Sequence, residues 1–126
     1  MEKLIKRGFF RLARNTLPYS DCKIRVGAVI SRKSPISVGF NVTKTHPSFC
    51  NPDVSCTMSI HAEMNALMRA HLSVNGCDIY IYRELADGTP GIAKPCKVCY
   101  DTLKLKGIKK IYYTIGEYPY WKCERL

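Results

Sequence analysis

"IYIYRELADGTPGIAKPCKVCYDTLKLKGIKKIYYTIG", residues 79–116, is the stretch whose reading decides the fold. "IYIYR" (79–83) is aromatic and β-branched, which suits a strand. "CKVCYDTLKLKG" (96–107) reads as a short helix with Gly107 at its C-terminal stop. "IKKIYYTIG" (108–116) is a second strand, and "LADGTPGIAKP" (85–95) is a loop. A strand that crosses over through a helix to another strand lies parallel to it, with the helix on the sheet face.

Upstream, "RVGAVIS" (25–31) and "ISVGFN" (36–41) flank the turn-forming "RKSP" and read as an antiparallel hairpin. Residues 43–58 are irregular, with two prolines and two cysteines. Ile60, Met64, Leu67, Met68 and His71 recur at helical spacing over 60–72, which places His71 on an apolar face as a structural histidine. Residues 3–15 form an amphipathic helix with Ile5, Phe9, Leu12 and Ala13 on one side and Lys3, Arg7, Arg11 and Arg14 largely elsewhere. The aromatic and basic tail "EYPYWKCERL" (117–126) has no clear period. The sum is one α/β domain over residues 1–126, built on a single mixed sheet covered by helices.

The 126 residues amount to one domain, and 46% hydrophobic with 24% charged content is ordinary for a globular chain. No apolar run is long enough to span a bilayer, and residues 1–16 alternate basic and apolar instead of forming a secretory core. That basic amphipathic start resembles a mitochondrial presequence, but Glu2 breaks the pattern, so a cytoplasmic protein is expected. The formal charge of +10 points to an anionic partner, nucleotide phosphates or nucleic acid, or else to a solvated basic surface. An odd set of seven cysteines without a signal peptide argues against a disulfide scaffold and for metal ligands or small core residues.

Two short motifs carry the chemistry. Cys96 and Cys99 fall on one face of the first turn of a helix entered through Pro95. A helix N-terminus favours negative charge and lowers thiol pKa. His61 supplies a third ligand, and three ligands of these types leave a tetrahedral zinc one open position. Glu63, two residues from His61, then has a purpose as a proton carrier beside a metal-activated water. A structural zinc would need a fourth protein ligand, for which Cys77 or Cys123 is available, and would leave Glu63 without a role.

His61-Ala62-Glu63 followed by Pro95-Cys96-Lys97-Val98-Cys99 is the H-x-E and P-C-x-x-C signature of zinc nucleobase deaminases. With "VGAVI", "GFN", "HAEMNAL" and "GIKKIYY", it makes residues 20–114 resemble the zinc-dependent cytidine and deoxycytidylate deaminase superfamily. The likeness to deoxycytidylate deaminases is greater, through the order of Cys22, Asn41, Cys50, Cys56 and "HAEMNA". The resemblance implies a three-layer α/β/α sandwich with a mainly five-stranded mixed sheet. It implies hydrolytic deamination of a pyrimidine, dCMP to dUMP first. Glu63 would alternate as base and acid while activated water attacks the amino-bearing ring carbon. It also implies Asn41 at the sugar hydroxyls, the Ala62 amide at the ring carbonyl, a homo-oligomer, and a second, structural zinc on Cys22, His46, Cys50 and Cys56. The alternative for that last set is scattered loop thiols.

Val42 departs from the Gly that follows the asparagine in relatives regulated by nucleoside triphosphates, and the segment from Asn41 to His61 is short. Both features weigh against such regulation. The insertion "ELADGTPGIA" (84–93) adjoins the zinc motif and is positioned to reshape the substrate mouth. Arg25 and Lys44 are candidates for meeting a substrate phosphate. Two other functions remain open: a deaminase of cytosine or adenine in single-stranded DNA or RNA, favoured by the charge and by "YPYWK", and a zinc-stabilised binding module without activity. The same tail aromatics alternatively cover a sheet edge or an oligomer interface.

Overall fold

The structure, a computed structural model, describes residues 2–43 and 60–126. Helix α1 (Glu2–Asn15) leads through a short 3-10 turn (Leu17–Tyr19) into β1 (Arg25–Ser31) and β2 (Pro35–Phe40). Then come α2 (Ala62–Arg69), β3 (Asp78–Glu84), a two-residue β4 (Pro90–Gly91), α3 (Lys97–Leu105), β5 (Lys110–Thr114) and β6 (Trp121–Arg125). The sheet order is β2-β1-β3-β5-β6, with β4 paired to β3. β3 and β5 run parallel, as the strand–helix–strand reading requires, and the other pairs are antiparallel.

Period-two alternation divides the core between the two sheet faces. Phe10, Ala13 and Leu17 pack over Val29, Tyr80, Tyr82 and Tyr112 on one face. Ala62, Ala66 and Leu103 pack over Ala28, Ile30, Ile79, Ile81 and Ile111 on the other. The result is the expected α/β/α sandwich, with α1 on one side and α2 and α3 on the opposite side.

Two glycines set the closeness of the layers. A methyl at Gly27 would collide with the Ala13 carbonyl and the Thr16 hydroxyl, so α1 rests on the bare β1 backbone. A methyl at Gly39 would collide with the backbone of Ala62 and Ala66, so α2 lies directly on β2. Ser37 donates its hydroxyl to the Ala66 carbonyl at 2.7 Å, and the Asn65 side chain accepts the Phe40 amide at 3.2 Å. These contacts hold the helix that carries His61 and Glu63.

Three elements differ from the sequence reading. α2 stops at Arg69, where Ala70 turns to extended backbone. His71 is therefore exposed beyond the helix and not a core histidine, and Met68 is exposed as well. The insertion contributes β4, tied to β3 at Arg83↔Gly91 and Glu84↔Pro90. The tail forms β6 on the edge beside β5, with Trp121 against Tyr112 at 6.1 Å between ring centroids. Part of the aromatic tail thus covers a sheet edge, while Tyr118 and Tyr120 stay exposed.

Candidate active site

Two helix N-termini meet at the site. His61 is the N-cap of α2 and Cys96 the N-cap of α3, both in extended backbone, with Glu63 and Cys99 inside the first turns. Pro95 stands just before the cap instead of inside the helix, where its ring fixes the approach of the chain. The parallel β3–α3–β5 crossover delivers the α3 terminus to the C-terminal end of the sheet. The Val42–Ile60 backbone pair (3.1 and 2.7 Å) brings the α2 terminus beside it.

The ligand atoms of His61, Cys96 and Cys99 lie within 4.8 Å of one another. His61 Nδ1 is 3.2 Å from Cys99 Sγ and 3.6 Å from Cys96 Sγ. Tetrahedral zinc, with Zn–S near 2.3 Å and Zn–N near 2.0 Å, places its ligands roughly 3.5–3.8 Å apart. The donor types fit the ion, the His61–Cys96 spacing falls in this range, and the His61–Cys99 spacing is slightly shorter. Among the described residues this is the one such cluster, and neither Cys77 nor Cys123 joins it. Cys77 is buried in the core under β3 and Cys123 is exposed on β6, so neither closes the coordination sphere.

Burial raises the Glu63 carboxyl above the ordinary carboxylate range, against the lowering effect of its hydrogen bonds and His61. Burial, then the Glu63 and Cys96 charges, push the Cys99 thiol far up. A bound divalent cation reverses both tendencies, because it is the largest local charge and keeps coordinated thiols deprotonated.

A cavity of about 500 Å³ opens over this cluster. His61, Ala62, Glu63 and Cys96 line one side and Val26 and Asn41 another. Asn41 is buried: its Oδ1 accepts from Ser20 Oγ (2.7 Å) and the Val26 amide (2.9 Å), and its Nδ2 donates to the Ile24 carbonyl (2.5 Å). One N–H of that amide is left for a ligand. As the first residue of α2, Ala62 has no intrahelical acceptor for its amide.

Of the second-zinc residues, Cys22 lies in the cavity wall, with Asp21 as its side-chain neighbour at 3.9 Å. His46, Cys50 and Cys56 lie outside the described residues, as does Lys44. Arg25 is absent from this cavity's lining and belongs to the adjoining one.

The sequence reading missed Lys23, Arg83 and Lys94, the three lysine or arginine side chains of the wall among the described residues. A signal for Arg83 was present. It continues the Ile79, Ile81 side of β3, so a charge ends the apolar row on the face that carries the metal ligands. The insertion does shape the mouth: its Ile92 and Ala93 line it, followed directly by Lys94. Thr114 pins that segment, its hydroxyl donating to the Gly91 carbonyl (2.7 Å) and accepting the Arg83 amide (3.1 Å), while its carbonyl accepts the Ala93 amide (3.0 Å).

Residues 5–115 match the family described as the cytidine and deoxycytidylate deaminase zinc-binding region. The chain belongs to that family, which makes it a zinc-dependent deaminase. It is 30% identical over 118 residues, 89% of this chain and 73% of the relative, to an uncharacterized deaminase in the luxG 3' region of Aliivibrio fischeri. Its fold is similar to that of the dCMP deaminase of cyanophage S-TIM5, with a TM-score of 0.68 and 25% identity over 91% of this chain and 86% of that one. It is also similar to the cytidine deaminase of Burkholderia pseudomallei, with a TM-score of 0.65 and 15% identity over 94% and 91% of the two chains.

Proposed function

We propose that the protein deaminates a free cytosine nucleotide, dCMP to dUMP, with release of ammonia. The observation that carries this reading is the cavity itself. One wall holds a buried carboxylate beside a three-ligand metal cluster, and the rim holds Lys23, Arg83 and Lys94. A neutral pyrimidine with an anionic phosphate matches that division. The cyanophage dCMP deaminase, whose fold this chain shares, has been solved with dCMP and dUMP.

His61, Cys96 and Cys99 would hold zinc, which when bound would supply a water acidified to near-neutral pKa. Glu63 would take the proton of that water as its oxygen bonds to the amino-bearing ring carbon and would deliver it to the adjacent ring nitrogen; it would then take the proton of the added hydroxyl and pass it to the amine, whose bond to the carbon breaks to release ammonia. The free N–H of Asn41 meets a sugar hydroxyl, and the Ala62 amide meets the ring carbonyl. No helix among the described residues is long and apolar enough to cross a membrane, and we place the reaction in the cytoplasmic nucleotide pool.

Ammonia release from dCMP, deoxycytidine and cytidine by the zinc-loaded protein tests the reading. The expected result is preference for dCMP and loss of turnover in Glu63→Ala. Preference for an unphosphorylated nucleoside would contradict the substrate assignment. Turnover unaffected by Glu63→Ala would contradict the mechanism.

A further inference from the structure

The catalytic cavity is the first of three that share walls. It has Cys22, Lys23, Ile24 and Arg83 in common with a second cavity of about 640 Å³. The second has Arg25 and Glu84 in common with a third of about 380 Å³, which reaches Arg14 at the end of α1. Cations line the whole series: Lys94 in the first, Lys23 and Arg83 between the first and second, and Arg25 and Arg14 further out. The carboxylate in the outer walls is Glu84, and Arg14 sits 3.5 Å from it. What remains is a net positive track that leads away from the metal cluster.

Arg83 is the hinge of this track. Its Nη1 donates to the Ile92 carbonyl at 3.3 Å, and its buried Nε has no acceptor among the described residues. Gly91 makes room for the arm, since a methyl there would press on the Arg83 Cδ at 3.3 Å and the Leu85 Cδ2 at 2.8 Å. The insertion therefore both builds the outer wall, through Leu85, Ala86 and Gly88, and seats the arginine that faces both cavities. A guanidinium with unused donors between two cation-lined cavities is suited to bridging successive phosphates. A mononucleotide carries one phosphate, and one cavity would serve it.

We infer that the second cavity is a subsite for a further phosphate, linked to the phosphate of the cytosine nucleotide and held by Arg25, Lys23 and Arg83. This rests on the nucleotide deaminase reading and extends its substrate class. The linkage is either a phosphoanhydride, as in a nucleoside triphosphate, or a phosphodiester to a preceding nucleotide. Among the described residues no aromatic side chain lines the three cavities.

The test compares kcat/KM of the zinc-loaded protein for dCMP, dCTP and a 5′-phosphorylated dinucleotide with cytosine at its 3′ residue. At least one extended substrate should exceed dCMP by about tenfold, the size expected for a charge-assisted contact. Arg25→Gln should remove most of that advantage, and Arg25→Lys should retain part of it. Which extended substrate gains identifies the linkage. An advantage that survives Arg25→Gln, or dCMP as the best substrate, overturns the subsite. If no cytosine nucleotide is turned over, the deaminase substrate reading falls separately. Calorimetry of dUTP and of a 5′-phosphorylated dinucleotide with uracil at its 3′ residue, each against dUMP, then decides the subsite. Tighter binding of either one that Arg25→Gln abolishes supports it, and binding of both no tighter than that of dUMP overturns it.

Discussion

The two faces of the sheet are built from different side chains for different purposes. Under α1 the strands present large rings, with Tyr80 stacked on Tyr112 at 4.4 Å and both Phe9 and Phe10 against Tyr80. Under α2 and α3 they present mostly alanine and isoleucine, with Gly39 and one buried ring, Tyr113. Rings fill volume and tolerate a helix that only has to cover them. Small residues and a bare backbone let α2 come close, which sets where His61 and Glu63 stand relative to Cys96 and Cys99. The aromatic face stabilises the fold, and the small-residue face sets the geometry of the chemistry.

Substitutions should therefore separate stability from activity according to face. The largest effect is expected for Glu63→Gln, with turnover down at least about a thousandfold. Its zinc content should be normal and its melting temperature no lower, because the change removes a buried charge. Loss of zinc or of fold would instead make Glu63 structural. Next, Tyr80→Ala should cost about 3–5 kcal/mol in denaturant unfolding through the cavity it leaves, with kcat per folded molecule unchanged. A fall in kcat would mean that the aromatic face also shapes the site.

Gly27→Ala and Gly39→Ala sharpen the comparison, because each overpacks one face by one methyl. Each should cost about 1–3 kcal/mol. Competition with a chromophoric chelator should show weaker zinc affinity for Gly39→Ala alone, since only that change displaces the helix bearing His61. The smallest effect belongs to the exposed Lys97–Asp101 pair on α3, 3.4 Å apart. Lys97→Ala should move stability by no more than about 0.5 kcal/mol and leave zinc affinity as it was.

Much of this was legible in the sequence because periodicity and ligand chemistry are local. The β1–β2 hairpin, β3, α3, β5 and the parallel crossover follow from alternation, glycine stops and connection length. His61, Glu63, Cys96 and Cys99 follow from spacing and from what zinc requires. β6 was missed because "WKCER" lies on an edge, is largely exposed and carries no alternating apolar pattern. β4 spans two residues, too few for any period. α2 was drawn too long because Met68 and His71 happen to continue the helical spacing, while no glycine or proline marks the stop at Arg69. Lys23, Arg83 and Lys94 meet only through tertiary structure, from the β1 entry, the end of β3 and the residue that follows the insertion.

The proposed mechanism requires zinc on His61, Cys96 and Cys99 and the proton carrier Glu63 to act as one unit on a cytosine nucleotide. Its most direct test is ammonia release from dCMP by the same preparation as purified, after chelation, and after zinc is restored to one equivalent per chain. Turnover should be lost with the metal and return with it. Turnover that persists in the metal-free protein, or that stays absent from a folded protein with zinc restored, would contradict that mechanism.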